Sequence, residues 1–190
     1  ASEALQCPTL LNNGFGGHRI EGIGDKHVPW IHNVKNTDMV IAIDDEDSVG
    51  LIRLFNEPEG RKFLAGDMKV PQETVEKLDL LGISGIANLL SCIKFAKYYE
   101  LTERDVVATV LTDSMDMYRS RLEELRKQKG GYSEKQAAMG WAKHIYGQRT
   151  DNMLELTYID RKRIHNLKYY TWVEQQGKTA GELDALWYDC

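Results

Sequence analysis

Two short stretches are apolar at almost every position, Met39-Val40-Ile41-Ala42-Ile43 and Val106-Val107-Ala108-Thr109-Val110-Leu111. β-Branched runs of this length are expected of strands covered on both faces. The rest of the patterned chain has helical periodicity. Val49, Ile52, Leu54 and Phe55 follow the acidic run Asp44-Asp45-Glu46-Asp47 and predict a helix over residues 45–57. Pro71 is expected to open a helix reaching about Leu78, because proline suits a first turn. Ile86, Leu89, Leu90, Ile93 and Ala96 recur at i, i+3, i+4, i+7 and i+10, so residues 84–99 give the clearest helix. A further helix is expected from Asp113 or Ser114 to Lys127, followed by a linker at Lys127-Gln128-Lys129-Gly130-Gly131. Beyond it the pattern is helical throughout and rich in aromatic residues. Ser133-x-x-Gln136 and Thr179-x-x-Glu182 there have the spacing of capping boxes.

Strand, helices and strand in that order predict a right-handed βαβ crossover. Two parallel strands alone leave unpaired edges and bare apolar faces, and no third strand is evident. The fold expected is therefore α/β: part of a parallel sheet flanked by helices. It forms an incomplete large domain over residues 1–128, with an all-helical C-terminal extension over 129–190. The neighbouring strands are expected from a missing N-terminal part or from a partner chain.

Composition narrows the function classes. With 42% hydrophobic and 28% charged residues the chain is ordinary globular material, and a net charge of −5 argues against a nucleic-acid partner. The basic run Arg161-Lys162-Arg163 is too short to change that and reads as a solvated helix face. Cys7, Cys92 and Cys190 are far apart and lack metal-ligand spacing, which suggests reduced thiols and a cytoplasmic location. No apolar run is long enough for a membrane span, so no membrane partner is expected.

Two glycine-centred segments carry the candidate chemistry. The loop from Gly14-Phe15-Gly16-Gly17 to Glu21-Gly22-Ile23-Gly24 has no hydrophobic period and brings bare backbone close to something. The turn Leu81-Gly82-Ile83-Ser84-Gly85 delivers Ser84 to a helix N-terminus. There a serine most commonly caps the helix, here through the N–H of Ala87. Its other use is as a neutral hydrogen-bond partner for a ligand.

In order, the chain presents Gly22-Ile23-Gly24 with Pro29 after it, a buried-type strand ending in acidic residues, Gly82-Ile83-Ser84, and a strand running into Thr112-Asp113-Ser114. This series resembles the C-terminal half of the catalytic core of pyridoxal-phosphate enzymes of the tryptophan-synthase β-chain fold type, in particular the cysteine synthases and cystathionine β-synthases. The resemblance covers residues 18–127. It implies pyridoxal 5'-phosphate as cofactor, with Ser84 hydrogen-bonded to the pyridine nitrogen and Asp113 and Ser114 beside the pyridine edge. It implies a substrate pocket lined by Gly22, Ile23 and Gly24, with His27 at its mouth. It further implies a transferase or lyase of cysteine biosynthesis, acting on O-activated serine or a related amino acid and homodimeric when complete.

The departures matter as much. The family holds its cofactor through a lysine in a Ser-x-Lys context and grips the phosphate with a Gly/Ser/Thr-rich loop. Neither is found here: Ser133-Glu134-Lys135 lies after the core and inside a capping box, and Gly14-Phe15-Gly16-Gly17 lacks hydroxyl residues. Thr112 stands where the family often has proline. No catalytic residue is therefore expected in this chain, which should be inactive alone. His18, Asp25, His27 and His32 fit no zinc spacing, and Asp44–Asp47 lacks the glycine and terminal glutamate of an EF-hand, so no metal is expected. A different class of reading stands beside this one: a non-catalytic helical interaction module with a degenerate α/β core.

Overall fold

The computed structural model describes residues 1–188. Its sheet, among the described residues, has three strands in the order β1 (Ser2–Ala4), β2 (Met39–Ile43), β3 (Met153–Glu155). β1 pairs with β2 in parallel, Ser2 opposite Ile41, and β3 pairs with it antiparallel, Val40 opposite Leu154. The sheet is therefore mixed, and β2 takes both neighbours from this chain. One of them comes from the segment expected to be all helix.

The apolar run of β2 follows from burial on two sides. Met39, Ile41 and Ile43 join the main core, whereas Val40 packs into a smaller cluster with Val28, Val34, Leu156 and Ile164. Side chains of a strand alternate between faces, so an unbroken apolar run needs cover on both. On the main face β2 is covered by α3 (Ile83–Tyr98), against which α1 (Asp45–Asn56) packs, with α2 (Pro58–Gly66) packed in turn against α1. The second face is covered by α6 (Tyr158–Lys168), which follows α4 (Arg119–Lys129) and α5 (Glu134–Trp141) and precedes α7 (Ala180–Tyr188).

Helix boundaries obey local chemistry. Asp44 caps α1 by accepting the Glu46 N–H at 2.7 Å, which accounts for the acidic run at that turn. The expected capping boxes are present. Gln136 N–H donates to Ser133 Oγ at 3.3 Å, and Glu182 N–H to Thr179 Oγ1 at 3.1 Å. Thr157 and Asp160 make a third at the start of α6. The helix expected after Pro71 is a single turn, Gln72–Glu76, followed by a 3₁₀ turn at Leu78–Leu80.

The second expected strand is not one. Residues 106–111 form no regular secondary structure and join no ladder among the described residues, and Val106 is 93% exposed and Val110 67%. The Asn88 side chain tethers the end of the segment, donating to the Val110 carbonyl at 3.0 Å. The βαβ crossover is thus corrected: both edges of β2 are already taken, by β1 and β3.

The long loop between the first two strands has little secondary structure, so its backbone finds partners elsewhere. Lys168 Nζ donates to the carbonyls of Trp30 and His32 at 2.8 and 2.7 Å, and Trp172 Nε1 donates to Val28 O at 2.9 Å. Arg161 and Arg163 reach Thr37 O and Leu10 O. The basic run is therefore a clamp on this loop rather than a solvated face. The bare backbone at Gly16 meets its own chain, since a Cβ there would lie 2.6 Å from Gln6 O. Cys7 and Cys92 are free thiols, and Cys190 lies outside the described residues. Among the described residues no helix is long and apolar enough to cross a membrane.

Candidate active site

Ser84 occupies the first turn of α3, which Gly82 enters as N-cap without a side-chain capping bond. The expected bond from Ser84 to the Ala87 N–H is not made. The Ser84 hydroxyl turns instead to the residues after 111, lying 2.7 Å from Thr112 Oγ1 and donating to Asp113 Oδ1 at a long 3.4 Å. Asp113 is held from two other sides. Its Oδ2 accepts the Tyr118 hydroxyl at 2.5 Å, and its carbonyl accepts the Gly82 N–H at 3.1 Å. Burial, with Asp113 next to it, pushes the Tyr118 phenol up to about 12. Position 82 has to be glycine for this arrangement, because a Cβ would stand 2.0 Å from Asp113 Oδ1.

The glycine loop meets the same point. Gly22 has φ +96°, a conformation that side chains disfavour, and a Cβ on it would lie 3.4 Å from both Cβ and Oγ of Ser84. Glu21, one residue before, is gripped by Arg121 of α4 through bonds of 2.9 and 2.6 Å to one carboxylate oxygen. Ser84 itself has no exposed surface, yet Gly22 and Thr112, which touch it, are both exposed. The hydroxyl therefore sits one layer beneath the surface.

The other candidates lie differently. Gly24 turns toward β1, where a Cβ would come within 3.0 Å of Ala4 Cβ and of His18 Nε2. Ile23 packs against the main core. Ser114 uses its hydroxyl to accept the Asp116 N–H at 3.3 Å, capping the 3₁₀ turn Met115–Tyr118. His27 bonds Asp25 through Nδ1 at 2.8 Å and makes no bond to Ser84, Thr112 or Asp113. Of the expected set, Gly22, Ser84 and Asp113 come together. Thr112 and Tyr118 were not anticipated as parts of the site. Thr112 stood out only as a replacement for proline, and Tyr118 reaches Asp113 through a 3₁₀ turn that leaves no mark in the spacing.

This cluster can present one neutral hydroxyl. If Thr112 donates to Ser84 Oγ, the Ser84 proton faces only the distant Asp113 oxygen, and 3.4 Å is weak for O–H···O. A closer acceptor in place of Asp113 would receive that hydrogen bond. An unprotonated ring nitrogen is such an acceptor, so the donor type fits the ring end of a pyridine cofactor. Access requires the 112–113 segment, exposed at Thr112 and half-buried at Asp113, to shift.

Comparison with known proteins gives one distant likeness. Cysteine synthase B of Campylobacter jejuni is 26% identical over 118 residues, which make up 62% of this chain and 32% of that protein. The chain spans about a third of the length of the curated relative it matches. No family model matches, and no solved structure matches significantly. At this level the chain is similar to a cysteine synthase over part of its length.

Proposed function

We propose that this chain is a portion of a pyridoxal-phosphate-dependent β-replacement or β-elimination enzyme, acting on O-activated serine or a related amino acid. The observation that carries the reading is the meeting of Gly22, Ser84 and Asp113 from three separate segments, in a chain with a distant likeness to cysteine synthase B. When bound, pyridoxal phosphate supplies an electron-withdrawing ring for loss of the substrate α-proton and the β-leaving group. Ser84 would hold the ring nitrogen by donating its hydroxyl proton. Because a hydroxyl does not protonate that nitrogen, Ser84 favours elimination over deeper carbanion chemistry. Thr112 would orient Ser84 by donating to Oγ, while Tyr118 holds the Asp113 carboxylate through its other oxygen. Gly22 brings bare backbone against Ser84 in a positive-φ conformation that a side chain would strain.

The amine that removes the α-proton and the phosphate cradle would come from residues this sequence does not contain. The exposed run 106–111 would find its strand partners in that same portion, as a buried-type strand requires. A native polypeptide or complex containing this chain is then expected to hold pyridoxal phosphate and to form cysteine from O-acetylserine and sulfide. The chain alone should do neither. Turnover by the chain alone, or a native protein devoid of pyridoxal phosphate, contradicts the reading. The complete enzyme is proposed to be a cytoplasmic homodimer.

One observation favours the non-catalytic alternative. The Ser84 hydroxyl is fully enclosed and already engaged by Thr112 and Asp113, as a purely structural serine would be. Under that reading Ser84→Ala alters stability and leaves cofactor content of the native protein unchanged.

A further inference from the structure

A separate cleft of about 610 Å³ lies between α1 and the segment from Lys129 to His144. None of the residues gathered at Ser84 lines it. Val49, Met139 and the ring of Tyr132 contribute apolar surface, and Lys129, Lys143 and His144 contribute polar groups, with no carboxylate in the lining.

The imidazole is placed with care. It is buried on the π-helical turn Ala142–Tyr146, a distortion that recurs at functional positions in helices. Its Nδ1 meets Asp47 Oδ1 at 2.7 Å, and the other oxygen of Asp47 accepts Gln148 Nε2 at 2.9 Å. Asp47 accepts a hydrogen bond from Nδ1–H, which leaves Nε2 as the ring nitrogen with no protein partner among the described residues. Gly50 makes the placement possible, since a Cβ there would come 2.4 Å from Nε2.

The cations at the rim are held loosely, although both help to keep the Glu46 carboxyl below its ordinary range. Lys143 is exposed and makes no hydrogen bond or ion pair among the described residues, and Lys129 has only a loose 3.9 Å approach to Glu46. Arg53, also in the lining, stacks 4.7 Å over the Tyr132 ring while bonded to Glu57. A mostly apolar hollow with a few convergent cationic groups is how small-molecule sites are built.

We propose that this cleft binds a small organic anion, an apolar or aromatic body carrying one carboxylate or phosphate. Its acid group would lie between Lys129 and Lys143, and its body against Val49 and Met139. The ligand would bridge α1 to the C-terminal helices, away from the residues proposed to hold the cofactor.

Benzoate and phenyl phosphate, titrated into the full chain, test this by NMR of the His144 imidazole and the Met139 methyl. Both signals are expected to shift saturably with at least one of these anions and not with benzyl alcohol. The double variant Lys129→Met/Lys143→Met, at exposed positions, should weaken binding about tenfold, the scale of one charge-assisted hydrogen bond. Met139→Glu, which places a carboxylate in the wall, should abolish it. No saturable shift, an equal response to benzyl alcohol, or unchanged binding in both variants would overturn the proposal.

Discussion

Gly22 lies directly against Ser84, so close that a Cβ on the glycine would touch both Cβ and Oγ of the serine at 3.4 Å. That separation is an ordinary van der Waals contact, so space alone does not demand glycine. The backbone does, at φ +96°. Gly22→Ala is expected to cost about 1–2 kcal/mol, the penalty for a side chain in left-handed backbone. Denaturant unfolding measures it, and a neutral substitution would show that the loop relaxes freely.

Gly82 poses the opposite case. Its φ is −70°, yet a Cβ would stand 2.0 Å from an Asp113 oxygen. Gly82→Ala should therefore push Asp113 away from Tyr118 and destabilise the chain by more than Gly22→Ala. Most of that loss should vanish in an Asp113→Gly background. Strict additivity of the two substitutions would show that the carboxylate is not what the new methyl meets.

Val106 and Val110 are exposed although their sequence is that of a buried strand. Replacing both with lysine is expected to leave the unfolding free energy of this chain within about 0.5 kcal/mol, as for other surface sites. It should also reduce self-association, because charge on an open strand edge blocks pairing. Analytical ultracentrifugation beside thermal unfolding separates the two effects. A large loss of stability would mean that the segment is packed in solution.

Lys168 gives a pH signature. Its side chain is buried, and burial pushes its ammonium down from 10.5 to about 8. In this window the unfolded chain binds the proton more tightly, so stability is expected to rise from about pH 8 to 10.5. Below that range the cost of burying the charge is fully present. The neutral amine keeps two N–H donors, one for each of the carbonyls of Trp30 and His32. Lys168→Met should abolish this rise and cost about 1–3 kcal/mol for each carbonyl left unpaired. A flat profile in the parent chain would contradict the assignment.

What the sequence disclosed was what local pattern encodes. The β2 run, α1 with its acidic cap, and α3 with its apolar stripe were legible because periodicity and capping are short-range. Ser2–Ala4 and Met153–Glu155 were not, because three residues carry no period and pair only through distant partners. Residues 106–111 misled for the same reason, since β-propensity speaks of fit to a pleated surface and says nothing about whether neighbours are present. At the site, the glycines and Ser84 stood out by chemistry. Thr112 and Tyr118 did not, because their roles arise only when 112–118 folds back on the entry to α3.

The most direct test concerns the proton at Ser84. A native polypeptide or complex containing this chain, loaded with ¹⁵N-labelled pyridoxal phosphate, reports the state of the ring nitrogen by NMR. The account predicts a hydrogen-bonded, unprotonated nitrogen that loses its partner in Ser84→Ala and becomes protonated in Ser84→Asp. A nitrogen signal indifferent to both substitutions, or a native protein that takes up no cofactor, would contradict it.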